Sequence, residues 1–137
     1  MSHYVECLPG FKDREALIDA LIACGFERPQ IEVHPQAVPL YGYRGDVRPQ
    51  SAHIVIRREH VGQAANDVGW ERMPDGTYRV WISEYDRRHR FNQAMQNRIA
   101  QEYAYSVVHR QQSALGRTVE RRSLPNGELE VVIAGYR

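Results

Sequence analysis

The sequence predicts an α+β fold in which an antiparallel or mixed sheet carries two helices on one face, in the order β-α-β-β-β-β-α-β-β. Three observations lead there. Two stretches repeat apolar residues at helical spacing, one around Leu17 to Cys24 and one around Phe91 to Val107. Two turns, Pro74-Asp75-Gly76 and Pro125-Asn126-Gly127, sit between runs that alternate apolar and polar residues, as hairpins do. Strands that run mainly in hairpins pair antiparallel, and helices this few cover one side of the sheet.

Taken in order, Ser2 to Leu8 alternates around Tyr4 and Val5 and forms the first expected strand, closed by Pro9-Gly10. Asp13 then offers an N-cap to a helix bearing Leu17, Leu21 and Cys24, with Ile18 and Ile22 alongside, that stops at Gly25. From Ile31 to Tyr43 the apolar residues are broken by Pro35 and Pro39, which donate no backbone bond, so a strand here is short or lies at an edge. Gly42-Tyr43-Arg44-Gly45-Asp46 is a turn. Ala52 to Arg57 is a strand with Ile54 and Ile56 on one face and His53 and Val55 on the other. Asp67 to Arg72 and Thr77 to Ser83 pair across Asp75-Gly76. The long helix carries Phe91, Met95, Ile99, Tyr103 and Val107 as its stripe and ends at Gly116. Ala104, Tyr105 and Val108 lie off that stripe, so its second half is apolar nearly all round and needs a second cover besides the sheet. Thr118 to Ile133 closes as a hairpin, with Val119 on one arm and Leu129, Val131 and Ile133 on the other.

A chain of 137 residues has the size of a single domain, 1–137, with no internal boundary. Its 42% hydrophobic and 26% charged residues exclude a disordered or collagen-like polymer. No apolar run approaches the ~20 residues of a membrane span, and the start MSHYVECLPGF has no signal-like core, so a cytoplasmic protein without membrane contact is expected. Cys7 and Cys24 are too few for a disulfide scaffold and are expected reduced and partly buried. The net charge is only +1, but it is uneven: residues 1–70 hold 7 basic and 9 acidic groups, residues 71–137 hold 11 and 8. Arg87, Arg88, Arg90 and Arg98 form the one basic cluster.

Several segments in order resemble a known family: Ser2-His3-Tyr4, Glu15-Ala16-Leu17 with Ala20-Leu21 and Gly25, Gly42-Tyr43-Arg44-Gly45, and Ile54-Val55-Ile56. Asp67-Val68-Gly69-Trp70, Gln101-Glu102-Tyr103-Ala104-Tyr105 with Val107-Val108, and Asn126-Gly127-Glu128-Leu129-Glu130-Val131-Val132 continue the series. The family is the hypothetical chloroplast reading frame thirty-five, also called domain of unknown function twelve-fifty-seven. The resemblance implies a small soluble protein of cyanobacteria, plastids and other bacteria, with no established activity, encoded near an AAA-type ATPase and a second small protein. It supplies no catalytic residues and points to an accessory or adaptor role. Pro29 to Pro39 and Arg87 to Arg90 depart from its usual pattern.

Chemical motifs add little. His3, His34, His53, His60, His89 and His109 lack the i, i+4 spacing or the Cys pair of tetrahedral zinc sites, so no metal ligand is assigned. No G-x-S-x-G element presents a nucleophile, and Gly42 to Gly45 has too few glycines to cradle phosphate. Asp67 with Glu71, and Glu84 with Asp86, are spaced to share a strand face, but surface acids balancing arginines account for them as well. Trp70, Tyr78, Trp81 and Tyr85 are either cross-strand packing pairs or a base-stacking platform. Arg87, Arg88 and Arg90 at the entry of the long helix oppose its positive end, so either the helix starts later, with Asn92 or Asp86 setting the boundary, or the arginines await an anionic partner. No catalytic or cofactor-binding residue is assigned. The expected function is a non-enzymatic accessory protein that binds another protein, an AAA-type ATPase or its small companion, with self-association as a further expectation. Its candidate contact residues are Arg87, Arg88, Arg90, Arg98, Tyr105 and Val108. The alternative is RNA or single-stranded nucleic-acid binding through the arginines and hairpin aromatics.

Overall fold

The computed structural model describes residues 3–136. Strand β1 (Tyr4–Cys7) is followed by helix α1 (Arg14–Ala23), a single 3-10 turn (Arg28–Gln30), β2 (Ile31–Tyr41) and β3 (Val47–Ile56). A short helical turn, α2 (Arg58–Val61), leads to the hairpin β4 (Val68–Arg72) and β5 (Tyr78–Ser83). After α3 (Glu84–Arg87) come the long helix α4 (Gln93–Ala114) and a last hairpin of β6 (Arg117–Ser123) and β7 (Leu129–Tyr136). The first five strands form one antiparallel sheet in the order β1-β5-β4-β3-β2, and β6 with β7 forms a separate two-stranded sheet. The α+β class holds, and the element order differs from the expected one only by the short helical turns.

One face of the five-stranded sheet meets α1 and the start of α4. Ile54, Ile56, Trp70, Val80 and Ile82 bury against Leu17, Leu21, Phe26, Phe91 and Ile99. Phe91 stacks on Phe26 at 5.7 Å between ring centroids and meets Trp70 in an edge-to-face arrangement at 6.1 Å. Ile22, expected beside the apolar face of α1, instead faces solvent. The opposite face of the sheet is smaller, with Leu40, Ala52 and Val55 buried under Tyr4, Val38 and Trp81. The alternation of Ile54 and Ile56 against Val55 is therefore as expected. Gly69 lies under this second cluster: a Cβ there would stand 2.5 Å from the Ala52 Cβ and 2.9 Å from a Leu40 methyl.

Two alternatives that the sequence leaves open are resolved, β2 as an edge strand and α4 as a helix that starts later. β2 runs for 11 residues, not a few, and tolerates Pro35 and Pro39 because it is an edge strand with a register break between Val33 and Val38. The long helix begins after Phe91: Asn92 is its N-cap, with its side-chain oxygen accepting from the Met95 amide at 2.9 Å. Arg87, Arg88 and Arg90 thus precede the helix, and the conflict with its positive end disappears. Among the described residues no helix is long and apolar enough to cross a membrane.

Candidate interaction surface

Helix α4 leaves the core as it proceeds. Ile99 is buried, and Met95 and Tyr103 pack against the same cluster. The Tyr103 hydroxyl accepts from the backbone amides of Lys12 and Asp13, both at 2.9 Å, and its ring lies 4.4 Å from Phe11. One turn on, Asp19 of α1 accepts from the Ser106 hydroxyl at 2.6 Å and from Arg110 at 2.7 and 3.1 Å. The Arg110 guanidinium, helped by Ser106, holds the Asp19 carboxyl below its ordinary range. From residue 100 to residue 134 the only buried residue is the polar Ser106. Beyond Tyr103, the apolar side chains of this segment join neither core cluster.

The terminal hairpin rests on α4 through β6. Arg121 donates to both carboxylate oxygens of Glu102, at 2.7 and 2.8 Å, and its guanidinium lies 4.3 Å from the Tyr105 ring centroid. The register pairs Val119 with Ile133 and Arg121 with Val131, so Val131 and Ile133 share the face that Arg121 turns toward the helix. They are nevertheless 37% and 46% exposed, and Leu115 at the helix end is 53% exposed. β7 therefore overhangs the helix. Tyr105 and Val108 are half-buried, and for Tyr105 the second cover expected for α4 comes in part from Arg121 of the chain's own hairpin. Asp19, Ala23, Tyr105 and His109 border a cleft of about 240 Å³ between α1, α4 and β6.

The arginine cluster divides. Arg90 donates to the Val61 carbonyl at 3.2 Å and lies 4.5 Å over the Phe26 ring, so it fastens the loop before α4 to the core. Arg98 donates to the Ala23 carbonyl at 2.9 Å and satisfies the end of α1. Arg87 and Arg88 are exposed and border an open groove with Glu84, Gln93 and Gln96. They do not adjoin Tyr105 and Val108, which lie in the second half of α4, Tyr105 under Arg121 of the hairpin. Of the aromatic set, Trp70 and Tyr78 are buried, Trp81 packs on the second face of the sheet and Tyr85 stacks on His89 at 4.0 Å. Cys7 and Cys24 are free, and burial pushes both thiols up, which leaves them poor nucleophiles.

The carboxylate pairs separate as well. Glu71 accepts from Arg79 and Trp81, whereas Asp67, 1% exposed, accepts from the Tyr41 amide and the Arg58 amide at 2.7 Å and from the Arg57 guanidinium at 2.8 Å. Glu84 is exposed, and Asp86 is buried with one oxygen accepting from Ser83 at 2.7 Å and from the Asn66 amide at 3.0 Å. Burial pushes the Tyr4 phenol up, with the charges of Asp67 and Asp86 adding to it. Sequence reasoning missed these two hubs. The only signal is that Asn66-Asp67 stands just before an apolar strand, which an exposed turn would also give. Among the described residues no group of three or more His, Cys, Asp or Glu comes together as a metal cage.

No curated protein and no solved structure matches this chain. The profile of one family, described as Protein of unknown function (DUF1257), matches residues 27–132, most of the chain from the 3-10 turn to the middle of β7, and the chain belongs to that family.

Proposed function

We propose that this protein is a non-enzymatic accessory subunit that works by binding other proteins through its C-terminal arm, the second half of α4 with the β6–β7 hairpin. The observation that carries the reading is the absence of any buried apolar residue from 100 to 134, although Tyr105, Val107, Val108, Leu115, Val119, Val131 and Ile133 all lie there. Apolar surface left in water forgoes about 25 cal/mol per Å² on burial, so such an arm gains by being covered. The likeness to the hypothetical chloroplast reading frame thirty-five proteins favours an AAA-type ATPase or its small companion as the heterologous partner. That partner contacts the second half of α4 at Tyr105 and Val108, with Arg87 and Arg88 as a separate polar contact.

Affinity capture from native lysate, with and without nuclease, tests the reading. A nuclease-resistant partner lost in Tyr105→Asp/Val108→Asp, with the thermal midpoint of the variant within a few degrees of wild type, is the expected result. Capture that disappears with nuclease and weakens steeply as salt rises points to nucleic acid instead and overturns it.

A further inference from the structure

We propose that the β7 edge is the site at which a second copy of this chain docks, strand to strand and antiparallel, giving a four-stranded sheet β6-β7-β7-β6. This rests on reading the arm as a protein-binding surface and names the occupant of one part of it. The two edges of the hairpin are chemically unlike. β6 carries Arg117, Glu120, Arg121 and Arg122 among its seven residues, the charge density with which proteins protect an edge from pairing. β7 runs Leu129-Glu130-Val131-Val132-Ile133-Ala134, with one charge and no proline, and among the described residues it pairs only with β6. A two-stranded sheet is marginal in water and gains from further strands.

Self-pairing suits this strand in charge, in burial and in closure. Centred on Val132, it sets Val131 against Ile133 of the second copy and Glu130 against Ala134, so no like charges face each other across the new seam. The two-fold axis stands perpendicular to the sheet and keeps both α4 helices on the same side. The overhanging Val131 and Ile133 of each copy then fill the space between the two helices. The assembly also stops: its outer edges are the two charged β6 strands, whereas β7-on-β6 pairing would leave an edge open for indefinite growth. A strand from another protein would cover one β7 edge but would have to supply the apolar sequence that the second copy already has.

The test uses the purified full chain and two charge variants at exposed positions, Val131→Lys/Ile133→Lys and Val131→Glu/Ile133→Glu. Light scattering after size exclusion is expected to give twice 15.9 kDa for the wild type and 15.9 kDa for each variant alone. Mixing the two variants is expected to restore the doubled mass, because each lysine introduced in one chain then faces a glutamate introduced in the other. Circular dichroism of each variant reports folding, and restoration on mixing itself requires folded chains. A wild type that stays at single mass through micromolar concentrations overturns the proposal and leaves the edge to a strand of another protein. Variants that keep the doubled mass, or a mixture that stays at single mass, also overturn it. None of these sizing results depends on heterologous capture, so the two proposals fail separately.

Discussion

Asp67 shows how much a single buried carboxylate holds together here. It joins the end of β2, through the Tyr41 amide, to the β3–α2 corner, through the Arg58 amide and the Arg57 guanidinium. Arg57 keeps Glu32 at 2.9 Å, where bonds from Arg57 and His34 outweigh the upward push of burial and leave the Glu32 carboxyl lowered. Asp67→Ala takes the side-chain acceptor from two amides and one of the acceptors of Arg57, which keeps Glu32 and the Pro39 carbonyl, and the expected loss is about 3 kcal/mol, seen as a lower midpoint in urea. Asp19 makes a different prediction, about pH. Its carboxyl is lowered in the folded state, so the unfolded chain binds the proton first as pH falls. Its contribution is therefore complete above the ordinary carboxylate range near pH 4 and is lost as pH falls through the lower folded value. Asp19→Asn is expected to flatten the acid side of a stability profile while costing stability at neutral pH. Arg90 and Arg98 read as contact residues in the sequence for a plain reason at this scale. Their acceptors are the carbonyls of Val61 and Ala23, and a backbone carbonyl leaves no mark in a sequence.

At the scale of elements, the hairpins were legible because Asp75-Gly76 and Asn126-Gly127 encode their turns directly; Gly76 and Gly127 take φ of +87° and +85°. The start of α4 was legible only through its cap. Phe91 stands one helical turn before Met95 and enters the same core, so periodicity extends the helix past its true boundary, while Asn92 marks it. The overhang of β7 was not legible, since alternation shows which side chains share a face but not which strand lies on the helix. On the second face of the sheet, Leu40 and Ala52 close over a position on β4 that carries no side chain. Gly69→Ala would force its methyl into Ala52 and Leu40, and overpacking of this kind costs about 1–3 kcal/mol. The measurement is thermal unfolding, and an unchanged midpoint would mean that the second face of the sheet is looser than its burial implies.

For the whole molecule, burial divides the chain into a well-packed body up to Ile99 and an arm without a core of its own. Local stability follows burial, so in the single-mass Val131→Lys/Ile133→Lys form the amides of β6 and β7 are expected to exchange through openings of a few kcal/mol. Those of β3 to β5 are expected to require global unfolding, on the order of 5–15 kcal/mol. Native-state hydrogen exchange decides it; equal protection in both parts would mean that the arm is stabilised from within. The body was foreseen in class and layering, because its hydrophobic pattern is strong, whereas the arm was foreseen only as surplus apolar surface. The helix joining them runs 22 residues, about 33 Å, with neither proline nor glycine inside it. A rod of that kind has no joint. Rotational diffusion of a dye fixed near its far end, where Arg110 ties the helix to Asp19 of α1, is therefore expected to report the tumbling of the entire particle.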